Sequence, residues 1–207
     1  MSVVGDDSHR HCSSGKDGVF VLYACPGEQL ELVGRRCGFH DTYTAVITVP
    51  EEGITDPEDL PIQMPSDVIW WVFSHILHGP ALNPDACQFV VTVASATKTV
   101  RDDEQGLAGA TASISPDVEY PPHYFGVFLG KTNPFSRNLN ATTGDGGALF
   151  YNVPVNLHAP YVIRAHKEGI VFSETKMWCR GPGRFVNAPP RMGPTQDLLL
   201  FFRKPQH

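Results

Sequence analysis

The sequence predicts an all-β fold, a β-sandwich built from many short strands, and three observations carry that expectation. Gly 19 and Pro 18 among 207 residues exceed the ordinary share, and short apolar runs lie between them. That is the pattern of many turns joining many strands. From Cys87 onward the apolar runs recur at roughly eight-to-twelve-residue spacing with turn signals between them. The chain also says one phrase twice. Ser13-Ser14-Gly15-Lys16-Asp17-Gly18 leads into an apolar run, Pro26-Gly27, a second run at 30–33 and Cys37-Gly38-Phe39. Thr142-Thr143-Gly144-Asp145-Gly146-Gly147 leads into an apolar run, Pro154, a second run at 161–164 and Glu168-Gly169-Ile170. A repeat of this kind constrains architecture before any motif is weighed.

Taken in order, residues 1–12 are polar and read as a flexible tail. The continuous apolar run 19–23 suits a buried strand. Residues 29–33 alternate, with Leu30 and Leu32 opposite Glu31, and 42–49 set Tyr43, Ala45, Ile47 and Val49 against threonines. Three strands cannot close a sandwich, so 13–50 reads as a partial repeat. Residues 51–85 form an acidic, proline-rich connector with one short helix at 66–78. Ser66 serves as its N-cap, Asp67 lies in its first turn, and Gly79-Pro80 stops it. Its aromatic content suits a plug on an open sheet face. Residues 86–207 read as a complete sandwich, with strands at 89–93, 107–114, 124–129, 148–153, 160–166, 170–178 and 198–202.

Bulk composition narrows the function classes. Hydrophobic content of 42% with 18% charged residues argues against disorder. A net charge of −6 without a Lys/Arg cluster argues against nucleic acid as a partner. The longest apolar stretch, 68–73, is too short for a membrane span. Met1 is not followed by a basic region and an apolar run, so no signal peptide is read. None of the five cysteines sits in a CxxC pair, which excludes zinc-ribbon and thioredoxin-like motifs. Cys12, Cys25 and Cys37 lie close enough in sequence for one disulfide in an exported protein. Their other use is as reduced, buried small hydrophobes.

Candidates for chemistry each have a plainer use. His9 and His11, beside Cys12, suit a soft metal, and equally a solvated tail. His75 and His78 share a helical face at zinc-ligand spacing, although no Glu follows His75 as in a zincin; a polar helix edge reads as well. Asp102-Asp103-Glu104 and the acids at 51, 52, 56, 58 and 59 are loop clusters for weak Ca²⁺ binding or for solvated charge. Trp70, Trp71 and Trp178 offer faces for a glycan or for core packing. There is no Gly-x-Ser-x-Gly, phosphate-binding loop or dinucleotide fingerprint.

Residues Gly106-Leu107-Ala108-Gly109-Ala110-Thr111-Ala112-Ser113-Ile114, Thr143-Gly144-Asp145-Gly146-Gly147-Ala148-Leu149-Phe150, Val153-Pro154 and Tyr161-Val162-Ile163-Arg164-Ala165 with Gly169 resemble a carboxypeptidase-regulatory-like (transthyretin-like) domain. The resemblance covers about residues 86–180, with a partial second copy at about 13–50. It implies an Ig-like antiparallel β-sandwich and a non-catalytic extracellular, periplasmic or cell-surface role in assembly, adhesion or ligand presentation. A repeat lacking strands leaves an open edge, which invites pairing with a protein partner or a second copy. The related sandwich of intradiol ring-cleaving dioxygenases holds ferric iron with two Tyr and two His, which would fall here on Tyr151, His158, Tyr161 and His166. The chain departs from that pattern: it has no His-x-His after residue 100, and alternation points Tyr161 and His166 to opposite faces of one strand. No cofactor follows from the assembly reading; Ca, Zn or Fe would follow from the metal candidates.

Overall fold

A computed structural model describes residues 1–6, 10–55, 60–76, 81–95, 98, 102 and 104–187. The protein is all-β with one short helix. Its elements are β1 (Ser2–Val3), β2 (Gln29–Leu30), β3 (Leu32–Gly34), β4 (Thr42–Thr44), β5 (Ile47–Thr48), α1 (Asp67–Ile76), β6 (Cys87–Thr92), β7 (Thr111–Ser115), β8 (His123–Tyr124), β9 (Gly126–Phe128), β10 (Lys131–Asn133), β11 (Gly147–Val153), β12 (Tyr161–His166), β13 (Thr175–Met177) and β14 (Phe185–Asn187). A seven-stranded sheet runs β1-β3-β4-β14-β6-β11-β8, and a three-stranded sheet runs β13-β12-β7. Two ribbons, β9–β10 and β2–β5, stand apart from them.

The two larger sheets enclose the main core, as the alternation of their strands requires. In β7 only Ala112 and Ile114 are buried, and the register Ile163↔Ile114 and Ala165↔Ala112 aligns them with the inward face of β12. They meet Phe89, Val91, Ala148, Phe150 and Val186 from the large sheet. Phe89 packs edge-on against Tyr161 with centroids 5.7 Å apart. A disulfide joins Cys87 of β6 to Cys179 beyond β13, across a sequence separation of 92, with Cα atoms 5.8 Å apart. Both cysteines are fully buried.

The reverse face of the large sheet is covered by α1. Ser66 Oγ accepts a hydrogen bond from the Ile69 amide at 3.3 Å, the expected N-cap. Trp70 then packs edge-on against Phe185 with centroids 5.4 Å apart, and with Leu82, Val90 and Leu149 it lines a small apolar pocket. In β6 Phe89 and Val91 are buried on the core side, while Val90 and Thr92 on the reverse face are half-buried. At the end of the sheet, Gly106 and Gly146 touch backbone to backbone. A Cβ on Gly106 would lie 2.3 Å from the Gly146 backbone, so the Gly-rich turns serve close approach.

Several expectations are corrected. The large sheet is mixed: β14 runs parallel to both β4 and β6. The chain crosses from the three-stranded sheet at 178–184 and enters the gap between those strands, so residues 13–50 and 86–187 share one sheet. Residues 1–6 and 10–12, expected as part of a flexible tail, are held against the sheet. Ser2 pairs with Val33, the Val3 amide bonds to the Arg10 carbonyl at 3.1 Å, and the Cys12 amide bonds to the Met1 carbonyl at 2.9 Å. Residues 19–23, expected as a buried strand, join no ladder. The expected strands at 107–114 and 170–178 form ladder strands over Thr111–Ser115 and Thr175–Met177, with an isolated bridge at Ile170. The disulfide does not use Cys12, Cys25 or Cys37, which are all free thiols. Proximity in sequence did not bring those three together, whereas sheet packing apposed Cys87 and Cys179. The expected strand at 198–202 lies outside the described residues. Among the described residues no helix is long and apolar enough to cross a membrane.

Candidate functional site

The segment 19–24 exposes Val19, Val21 and Tyr23. It is bounded by two turns. Before it, the Gly15 amide bonds to the Val19 carbonyl at 2.9 Å and the Val19 amide to Asp17 Oδ1 at 3.0 Å. After it, Pro26-Gly27 makes a turn closed by the Glu28 amide on the Cys25 carbonyl at 3.1 Å, with Gly27 at φ 77°. Between the turns, alternate residues split cleanly. Phe20, Leu22 and Ala24 pack onto a small second core of Leu30, Leu32 and Ile47. Val19, Val21 and Tyr23 point outward, Val21 being 66% and Tyr23 85% exposed. Among the described residues the backbones of Phe20, Val21, Leu22 and Ala24 make no hydrogen bond, and the Tyr23 carbonyl accepts only from Arg10 Nη1 at 3.4 Å. Arg10 is itself clamped by Asp6 at 2.7 Å and Glu28 at 2.6 Å. The Arg10 hydrogen bond, then the Cys25 amide, hold the Glu28 carboxyl below its usual range.

On the sandwich side of the same half lies a charged cluster that connects distant parts of the chain. Glu31, with a side chain 4% exposed, receives Arg184 Nη1 on Oε1 at 3.2 Å and faces Arg180 Nη1 from Oε2 at 3.7 Å. Its Oε2 has no hydrogen bond. Arg180 lies over the Trp178 ring at 3.8 Å and Arg184 over Tyr43 at 4.3 Å. Burial pushes the Glu31 carboxyl up, against the pull of Arg184 and Arg180. Asp145, in the turn before β11, is likewise pushed up by burial while it accepts from Thr132 and from the Gly147 amide.

The residues singled out from sequence do not converge. His75 Nδ1 sits 2.7 Å from the Trp71 carbonyl and its ring stacks on Trp71, while His78 and His9 lie outside the described residues. His11 is exposed and bridges Ser2. Tyr151 stacks on Tyr120 at 5.2 Å, and the Tyr161 hydroxyl donates to the Pro154 carbonyl at 3.0 Å. His158 is exposed in a loop and His166 at the far end of β12 from Tyr161, so the iron set is scattered. Among the described residues no three His, Cys, Asp or Glu side chains group as a metal site. The three tryptophans make no common platform. Trp70 turns inward and stacks on His40 at 4.2 Å, Trp71 turns out, and Trp178 lies under Arg180. The Glu31 cluster was missed because Glu31 and Arg184 are 153 residues apart, and alternation set Glu31 opposite Leu30 and Leu32, where a charged residue reads as solvated. No family model, curated protein or solved structure matches the chain.

Proposed function

We propose that this protein is a non-catalytic interaction module, a transthyretin-like sandwich working in an extracytoplasmic compartment, which self-associates by strand pairing along residues 19–24. One observation carries the reading: in the uncharged segment 19–24, rich in β-favouring residues, Val19, Val21 and Tyr23 are exposed, and the backbones of Phe20, Val21, Leu22 and Ala24 make no hydrogen bond among the described residues. Unpaired strand edges are templates for another chain, and native proteins blunt them with charge, proline or cover. None of those devices lies between Asp17 and Pro26. The segment is also self-complementary. Antiparallel pairing centred on Val21 sets Val19 opposite Tyr23 and keeps all three outward side chains on one face. The buried Cys87–Cys179 bridge supports the compartment, since structural disulfides persist where the surroundings are oxidising.

Size-exclusion chromatography with light scattering tests the reading. The wild type is expected to associate with rising concentration, and Val21→Lys, which places a charge on the edge, to remain monomeric with an unchanged circular dichroism spectrum. A wild type that stays monomeric at every concentration overturns self-pairing.

A further inference from the structure

The chain holds seven asparagines, and the fold accounts for six of them. Asn83 Oδ1 accepts from the Asp85 amide at 2.9 Å, Asn133 Oδ1 from the Phe135 amide at 3.1 Å and Asn156 Oδ1 from the His158 amide at 3.0 Å, each fixing a local turn. Asn187 Nδ2 donates to the Gln63 carbonyl and Asn152 Nδ2 to the Ala81 carbonyl, both at 3.2 Å. Asn138 sits at φ 59°, the left-handed region that asparagine tolerates better than most side chains. Asn140 has none of these uses. It is exposed in the bend before the Gly-rich turn, and its side chain makes no hydrogen bond among the described residues. It is also the one asparagine followed two positions later by a hydroxyl residue, in Asn140-Ala141-Thr142, with no proline between.

Asn-x-Ser/Thr, with x other than proline, is the acceptor pattern for an N-linked glycan. Thr142 has a structural duty of its own. Its hydroxyl donates to the Leu107 carbonyl at 2.6 Å and accepts from the Ala110 amide at 2.9 Å, and the residue is 4% exposed. Folding therefore explains the threonine and leaves the asparagine to another use. The same burial sets the order of events, because the acceptor pattern needs that hydroxyl. The glycan is attached before the 107–110 segment closes on Thr142, and Asn140 then carries it on the outside of the fold. We propose that Asn140 bears an N-linked glycan, an inference that rests on the extracytoplasmic reading above, since the transfer takes place on exported chains. The donor is an oligosaccharide held on a lipid pyrophosphate. The amide nitrogen of Asn140 bonds to the anomeric carbon, the bond from that carbon to the pyrophosphate oxygen breaks, the lipid pyrophosphate leaves, and the amide gives up one proton.

The experiment takes protein recovered from the cells that naturally make it, with free thiols alkylated before reduction. Half is treated with peptide-N-glycosidase, and the peptides of both halves are mapped by mass spectrometry. Treatment is expected to collapse the protein to a single lighter band and to leave aspartate where the gene encodes Asn140. Asn140→Gln, made in the same cells, is expected to run as the lighter band without treatment and to keep the wild-type circular dichroism spectrum. Thr142→Ser, which retains a hydroxyl, is expected to keep the glycan. Unmodified Asn140 in protein whose Cys87–Cys179 bridge is intact overturns the proposal and leaves the compartment standing. Unmodified Asn140 with Cys87 and Cys179 both reduced overturns the two together. A glycan that persists in Asn140→Gln overturns the assignment to this residue.

Discussion

Removing either partner of the Glu31–Arg184 pair breaks the same contact, yet the two deletions should differ several-fold in cost. At 3.2 Å the gross attraction is about 5 kcal/mol for an effective dielectric near 20. Arg180 adds less, because it lies at 3.7 Å with a side chain 40% exposed and is screened by solvent. Against this stands the desolvation of Glu31, which outweighs both arginines, since the carboxyl is pushed up and not down. Arg184→Met keeps the aliphatic stem but leaves the buried carboxylate without its hydrogen bond, at a cost of about 3–5 kcal/mol. Glu31→Gln removes the buried charge and frees guanidiniums that can turn to water and still lie over Trp178 and Tyr43, so it should cost about 1 kcal/mol or less. The pH dependence has a definite sign. The native state binds the Glu31 proton more tightly than the unfolded chain, whose ordinary value is 4.5. Its contribution is therefore most favourable below that value and declines as pH rises through the raised native value. Urea unfolding of wild type, Arg184→Met and Glu31→Gln from acid to neutral pH measures both effects. Equal destabilisation by the two variants at neutral pH, or a Glu31→Gln deficit that grows as pH rises, would refute the view that desolvation dominates this carboxylate.

Other outcomes follow from single contacts. The Cys87–Cys179 bridge closes a sequence separation of 92, for which loop entropy gives about 4.6 kcal/mol; urea midpoints with and without reductant should differ accordingly, and a change below about 1 kcal/mol would contradict the bridge. Gly106→Ala drives a Cβ into the Gly146 backbone and should destabilise by about 1–3 kcal/mol, read by thermal melting. Trp70→Ala removes the ring packed on His40 and Phe185 and should cost about 2 kcal/mol or more. Trp71→Ala, on the outer face of the same helix, should stay within about 0.5 kcal/mol; reversed magnitudes would mean that α1 is rotated about its axis.

What was legible in the chain was whatever local periodicity and turn chemistry write down. Alternation in 111–115 and 161–166 marked strands with one buried face, Ser66 marked a helix start, and the Gly-rich run at 143–147 marked a turn. The candidate edge was only half legible. The run 19–23 was visible as apolar, but its continuous hydrophobicity read as burial on both faces, where the folded chain buries Phe20, Leu22 and Ala24 and leaves their neighbours outside. No local pattern distinguishes a strand covered on two sides from one covered on a single side.

The sequence by itself determined the all-β class, most strand positions, the helix and its cap, because each depends on residues only a few positions apart. Only the tertiary structure decided the rest. It inserted β14 parallel between β4 and β6, joined Cys87 to Cys179 rather than the neighbouring N-terminal cysteines, enclosed Glu31 between two arginines, and left Val19, Val21, Tyr23 and Leu129 facing solvent. These are contacts between segments far apart in the chain. Their partners are selected by the packing of whole sheets, and no short window of sequence contains both sides.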